Sequence, residues 1–82
     1  MNQSDTYQAL TEILREVFDD PDLVATPELS AVDVAEWDSF NHINVVVAAE
    51  QRFGVKFHAS EIEALRNVGE FVDLILRKRQ AA

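Results

Sequence analysis

The chain has no cysteine, only two glycines and two prolines, a single tryptophan, and no lysine or arginine anywhere between Arg15 and Arg52. Without cysteine there can be neither a disulfide staple nor a thiolate metal site, and an oxidising compartment gains no support. No stretch approaches the roughly 20 apolar residues of a membrane span. The N-terminal Met-Asn-Gln-Ser-Asp is not a basic region followed by an apolar run, so a cytoplasmic protein with no membrane insertion is expected. Acids occupy the gap in positive charge: Glu16, Asp19, Asp20, Asp22, Glu28, Asp33, Glu36, Asp38 and Glu50 all fall within it, and the formal net charge is −8. Such a field repels phosphate backbones and attracts basic protein patches, which sets nucleic acid aside and points to protein partners.

What is present reads as helices. At 82 residues the chain is expected to form one domain, 1–82, and a chain this short buries only roughly 60 to 65% of its unfolded surface. Tyr7, Leu10, Ile13, Leu14, Val17 and Phe18 recur at spacings of three and four opposite Gln8, Glu12, Arg15 and Glu16. That pattern predicts helix 1 over about residues 5 to 18, with Ser4 or Asp5 as N-cap. Asp19-Asp20-Pro21 stops it. From Asp19 to Asp38 no period is sustained, yet Leu23, Val24, Leu29, Val32 and Val34 are too apolar for a free linker. This predicts a long loop pinned to the core, with Ser30 to Asp33 capping a single turn.

Phe40, Ile43, Val46, Val47 and Phe53 predict helix 2 from Ser39 to Phe53, closed by Gly54 as a left-handed cap. Ser60-Glu61-Ile62-Glu63 has the form of a capping box for a short helix 3, and Asn67-Val68-Gly69-Glu70 of a second one. The second starts helix 4, whose buried stripe is Val68, Phe71, Val72, Ile75 and Leu76, with Arg77 to Arg79 at its negative end. The expected fold is all-α: an antiparallel four-helix bundle with a short third helix and a long loop between helices 1 and 2.

The informative stretch is Trp37-Asp38-Ser39-Phe40. A serine opening a helix is most simply an N-cap, worth about 1 kcal/mol. Nucleophilic catalysis needs a base and an orienting third group. His42 lies on the same side of the helix, but no G-x-S-x-G elbow surrounds Ser39, and no catalytic residue is assigned. The other chemical option is that Ser39 is itself a substrate, an exposed hydroxyl where a phosphodiester would meet the positive end of a helix.

Asp38-Ser39-Phe40, followed by Ile43, Val46, Val47, Glu50 and Phe53-Gly54-Val55-Lys56-Phe57, resembles the acyl carrier protein family, whose hallmark is an Asp-Ser-Leu triplet opening the second helix. The resemblance spans nearly the whole chain. It implies a freestanding carrier of acyl or aminoacyl thioesters on a 4'-phosphopantetheine arm. Ser39 would be the attachment residue and Asp38 its motif partner. Implied partners are a phosphopantetheinyl transferase and acyl-loading ligase, synthase or acyltransferase enzymes with basic docking patches, and a monomer is expected. Phe40, Asn41, Asn44, Val47, Glu50 and Gln51 are the docking candidates on helix 2. Phe40 replaces the usual leucine, and Asn41, Asn44 and Gln51 stand where carriers of general fatty acid synthesis tend to be acidic, which implies a specialised carrier. The alternative is an acidic helical interaction module with no covalent group, in which Ser39 is merely a cap.

Phe40, Phe53, Phe57 and Phe71 are expected to fill the interior, leaving little room for a long acyl chain. Trp37 either anchors the loop or stands exposed for docking. His42 and His58 look like isolated surface or cap residues, and Asp19-Asp20-Pro21-Asp22 lacks the glycine and glutamate of a calcium loop.

Overall fold

In the computed structural model, which describes residues 2–81, four helices follow one another: α1 (Gln3–Phe18), α2 (Ser39–Phe53), α3 (Ala59–Glu63) and α4 (Val68–Ala81). A 3-10 turn, Ala31–Asp33, interrupts the connection between α1 and α2, and no strand occurs among the described residues. No helix is long and apolar enough to cross a membrane.

Two helix starts, those of α1 and α3, differ from the sequence expectation by about two residues. α1 is capped by Asn2, whose Oδ1 accepts from the Asp5 N–H at 2.8 Å, so Ser4 and Asp5 fall inside the first turn. Asparagine caps as well as serine, and Asp5 then adds a negative charge near the positive helix end. α3 starts at Ala59 with His58 as its cap, because the Glu61 carboxylate accepts from the His58 N–H at 2.8 Å. The box therefore begins two residues before Ser60. α4 begins as expected: Asn67 Oδ1 accepts from the Glu70 N–H at 2.9 Å.

α1 packs on both α2 and α4. Leu10 and Leu14 from α1, Val45 from α2, and Val72 and Ile75 from α4 are essentially inaccessible and form the centre of the core. The long loop is pinned at several points. Thr11 Oγ1 donates to Tyr7 O and accepts from the Ala25 N–H, and Arg15 Nε donates to Leu23 O. On the other side Val68 N–H donates to Leu29 O and Gly69 N–H to Pro27 O. A Cβ on Gly69 would lie 3.0 Å from that Pro27 oxygen, so the close approach of loop and helix favours glycine.

Ends are closed by specific groups. Gly54 takes φ +68° after α2, and Asp19 takes φ 52° after α1, a conformation that aspartate tolerates better than most residues. Arg79, in the last turn of α4, also serves a second helix end. Its Nη1 donates to Phe53 O at 2.6 Å, so the tail of α4 caps α2.

α3 contributes no fully buried residue; Ile62 packs partly buried against the core, and Glu61 Oε1, besides capping the helix, meets Lys78 Nζ at 2.8 Å. The His58 N–H, and then Lys78, hold this carboxyl below the usual glutamate range. A folded-state pKa below the unfolded one contributes stability that is present above the unfolded value and lost as pH falls through the folded one. Acidification below about 4.3, the ordinary glutamate value, should therefore loosen α3. A titration followed by the His58 amide NMR signal should show the change in wild type, and Glu61→Gln should remove it.

Candidate functional site

α2 presents two unlike faces. Val45, Val46, Ala49 and Phe53 are buried against the core. Phe40, expected both among the interior rings and as a docking residue, is 75% exposed, and Ile43 and Val47, which marked the helical period, are 52% and 44% exposed. At 100° per residue these three point away from the buried set. Apolar residues occur all round α2, so periodicity alone could not choose its inward side; docking against α1 and α4 chose it. Phe40 is thus no part of the ring-filled interior, whereas Phe53 and Phe71 are buried and Phe57 is half-buried against Phe71 at 5.4 Å.

Ser39 is the first residue of α2 and is exposed. It is not the N-cap. Asp38 is: its Oδ1 accepts from the Asn41 N–H at 2.9 Å, and its backbone is extended at φ −101°. Aspartate at the cap places its carboxylate over the free N–H groups, leaving the Ser39 hydroxyl without a hydrogen-bond partner among the described residues. The cap energy therefore belongs to Asp38. Asp38→Ala should cost about 1 kcal/mol in urea denaturation, while Asp38→Asn, an equally good cap, should cost only a few tenths.

The residues before the serine form a tight turn that aims it outward. Trp37 N–H donates to Val34 O and Asp38 N–H to Glu36 O. The Trp37 ring is partly buried, lies 5.2 Å from the Phe18 ring, and donates from Nε1 to His42 Nδ1 at 3.1 Å. Trp37 is the anchor of this turn, and His42 is not isolated. His58, in contrast, is an exposed cap. The acidic turn at Asp19 to Asp22 is exposed, with Asp20 Oδ1 accepting from the Asp22 N–H.

A groove of about 620 Å³ opens at Ser39 and runs between α2 and α3 over Trp37, His42, Ile43, Ile62 and Leu65. Behind it a cavity of only about 60 Å³ is closed by Trp37, His42 and Phe71. Among the docking candidates, Phe40, Asn44, Val47 and Gln51 are exposed and share one side of the helix. Asn41 and Glu50 are half-buried and occupied within the protein: Asn41 Nδ2 donates to Glu36 O, and a Glu50 oxygen accepts from the Phe57 N–H at 2.9 Å. Ile43, read from the sequence only as part of the helical spacing, belongs with the exposed set.

This arrangement does not activate Ser39 as a nucleophile for its own use. The His42 Nδ1 lone pair is already taken by the Trp37 N–H, so no oriented base–serine pair forms. It does suit covalent modification by another protein: an exposed hydroxyl with no internal bond, at the mouth of an apolar-floored groove that an extended arm could follow.

Comparison with known proteins agrees with that geometry. Residues 8–75 match the family described as "Phosphopantetheine attachment site". The chain is 37% identical over 75 residues to the acyl carrier protein of Acidothermus cellulolyticus, covering 92% of this chain and 89% of that one. It is 34% identical over 74 residues to the meromycolate extension acyl carrier protein of Mycolicibacterium aurum, covering 90% and 76%. The solution NMR structure of the holo acyl carrier protein from Geobacter metallireducens superposes with a TM-score of 0.87 at 43% identity, over 93% of this chain and 87% of that one.

Proposed function

The chain belongs to the phosphopantetheine-binding acyl carrier protein family, and from that premise we propose that Ser39 is the residue on which its prosthetic group is carried. It is a carrier and not a catalyst, and its cofactor is 4'-phosphopantetheine. That membership displaces the reading as an interaction module without a covalent group. When attached, the group supplies a thiol on a long flexible arm that holds an acyl chain as a thioester.

The observation that carries the assignment of Ser39 is its position. It is exposed, it makes no internal hydrogen bond among the described residues, and it sits directly after the aspartate that caps α2. Asp38 fixes where the helix begins and so where the hydroxyl stands. Trp37, wedged on Phe18, keeps the preceding turn from folding over it. The apolar groove over Ile43, Ile62 and Leu65 suits the hydrocarbon parts of an arm.

Within the family we place this chain among carriers serving a dedicated ligase, synthase or acyltransferase. Support comes from α2, where no charged residue occurs from Ser39 to Ala49 and where Glu50 is engaged on Phe57. Partners docking there meet Phe40, Ile43, Asn44, Val47 and Gln51, so apolar burial supplies more of the recognition than charge does. The acids of the preceding loop attract basic surfaces at longer range. The protein acts as a monomer, since its charge of −8 opposes self-association.

The test is co-expression with a broad-specificity phosphopantetheinyl transferase followed by intact-mass measurement. A phosphopantetheinyl increment on the wild-type chain, mapped to the peptide containing Ser39, is the expected result. No increment, or one on another residue, would overturn the assignment. In steady-state kinetics of a purified transferase on the purified chain, Phe40→Ala and Val47→Ala should raise the KM for this chain several-fold and change its salt dependence little, whereas an unchanged KM would remove them from the docking face.

A further inference from the structure

The Trp37 indole N–H can only donate, so its 3.1 Å hydrogen bond fixes His42 Nδ1 as an acceptor. The neutral ring must then carry its proton on Nε2. Among the described residues that Nε2–H donates to nothing. His42 is half-buried and follows Ser39 by three residues, so the two are neighbours on the helix surface, and both line the same groove.

The neighbouring side-chain amides each have one N–H tied within the protein. Asn41 Nδ2 donates to Glu36 O, and Asn44 Nδ2 donates to Asn41 Oδ1 at 3.3 Å. Arg66, which lines the small cavity beside His42, faces Glu70 at 4.0 Å. The residue beside Ser39 is the anionic Asp38, and no lysine or arginine occurs between Arg15 and Arg52. A phosphodiester on Ser39 Oγ thus stands next to a like charge, and the ring N–H of His42, on the same turn, is wholly unengaged among the described residues.

Building on the attachment reading above, we infer that His42 is a positioning residue for the prosthetic group: its Nε2–H donates to a phosphodiester oxygen on Ser39, with Trp37 fixing the tautomer that makes this possible. The bond draws the first atoms of the arm toward the groove between α2 and α3 and away from the Phe40 side. It also joins the loop anchor to the carrier site, because a displaced Trp37 would release the tautomer.

The experiment compares wild-type protein before and after loading by the transferase, with intact mass reporting the extent of loading. Imidazole 15N spectra read the His42 nitrogens, and 31P spectra read the phosphodiester. On loading, the Nε2–H signal should move downfield and exchange more slowly with water, while Nδ1 stays unprotonated. The wild-type 31P resonance should differ from that of loaded His42→Asn, whose amide reaches only the Nδ1 position, and should be largely restored in His42→Gln, whose amide reaches the Nε2 position. Full loading with an unmoved Nε2 signal and the same 31P shift in all three proteins overturns the role of His42 and leaves the carrier reading intact. No loading of the wild type overturns both.

Discussion

Ser39→Ala is expected to abolish phosphopantetheinyl loading completely and to leave the protein as stable as wild type within about 0.5 kcal/mol. The two halves of this result have separate causes. Loading needs the hydroxyl oxygen, which becomes the ester oxygen of the phosphodiester, and alanine has none. Stability does not need it, because the first turn of α2 is capped by Asp38 through the Asn41 N–H and because Ser39 is exposed and unbonded. Alanine at the first helical position is also intrinsically favourable. Intact mass reads the first half and urea denaturation followed by circular dichroism the second. A loss of about 1 kcal/mol in Ser39→Ala would mean that the serine caps the helix after all, and residual loading would mean that the attachment site lies elsewhere.

Leu14→Ala should do the reverse, keeping the chemistry and removing the fold. Leu14 is 1% exposed and sits at the centre of the core on α1, the helix against which both α2 and α4 pack. Truncating a leucine at such a site costs about 2 to 5 kcal/mol, part transfer energy and part the cavity left behind. A chain of this length is stabilised by roughly 4 to 12 kcal/mol in total. The variant should therefore lose much of its margin, with a melting temperature lower by roughly 10 °C or more, while Leu14→Met should cost less than about 1.5 kcal/mol. Loading of Leu14→Ala should fall as temperature rises, in step with the folded fraction, although Ser39 is untouched. If Leu14→Ala unfolds no more easily than Leu14→Met, the core is not centred on α1.

Most helix boundaries were legible because they are written in local chemistry. Asn67 with Glu70, Gly54, and the run Asp19-Asp20-Pro21 act on their own backbone within a few residues. Where the reading slipped, two local solutions competed: Asn2 against Ser4 or Asp5, His58 against Ser60, and Asp38 against Ser39. Each is a choice between capable caps within three residues of one another. Asp38 winning over Ser39 is the instance with functional meaning, since a serine spent on capping would not be free for esterification.

The composition and the motif together determined the class of protein. An 82-residue chain without cysteine, strongly acidic, with an Asp-Ser pair at the head of an apolar helix, contains both the attachment chemistry and the four-helix pattern. Only the tertiary structure decided which face of α2 turned outward, because Phe40, Ile43 and Val47 are as apolar as Val45 and Val46, and burial depends on what packs opposite. It also decided the states of Glu50 and His42, whose partners Phe57 and Trp37 lie seven and five residues away, and of Arg79, whose partner Phe53 lies 26 residues away. Hydrogen-bond partners across such separations leave no periodic trace in a sequence. The Asp38–Ser39 pair was visible at once; that Asp38 holds the helix so that Ser39 stands free required the folded chain.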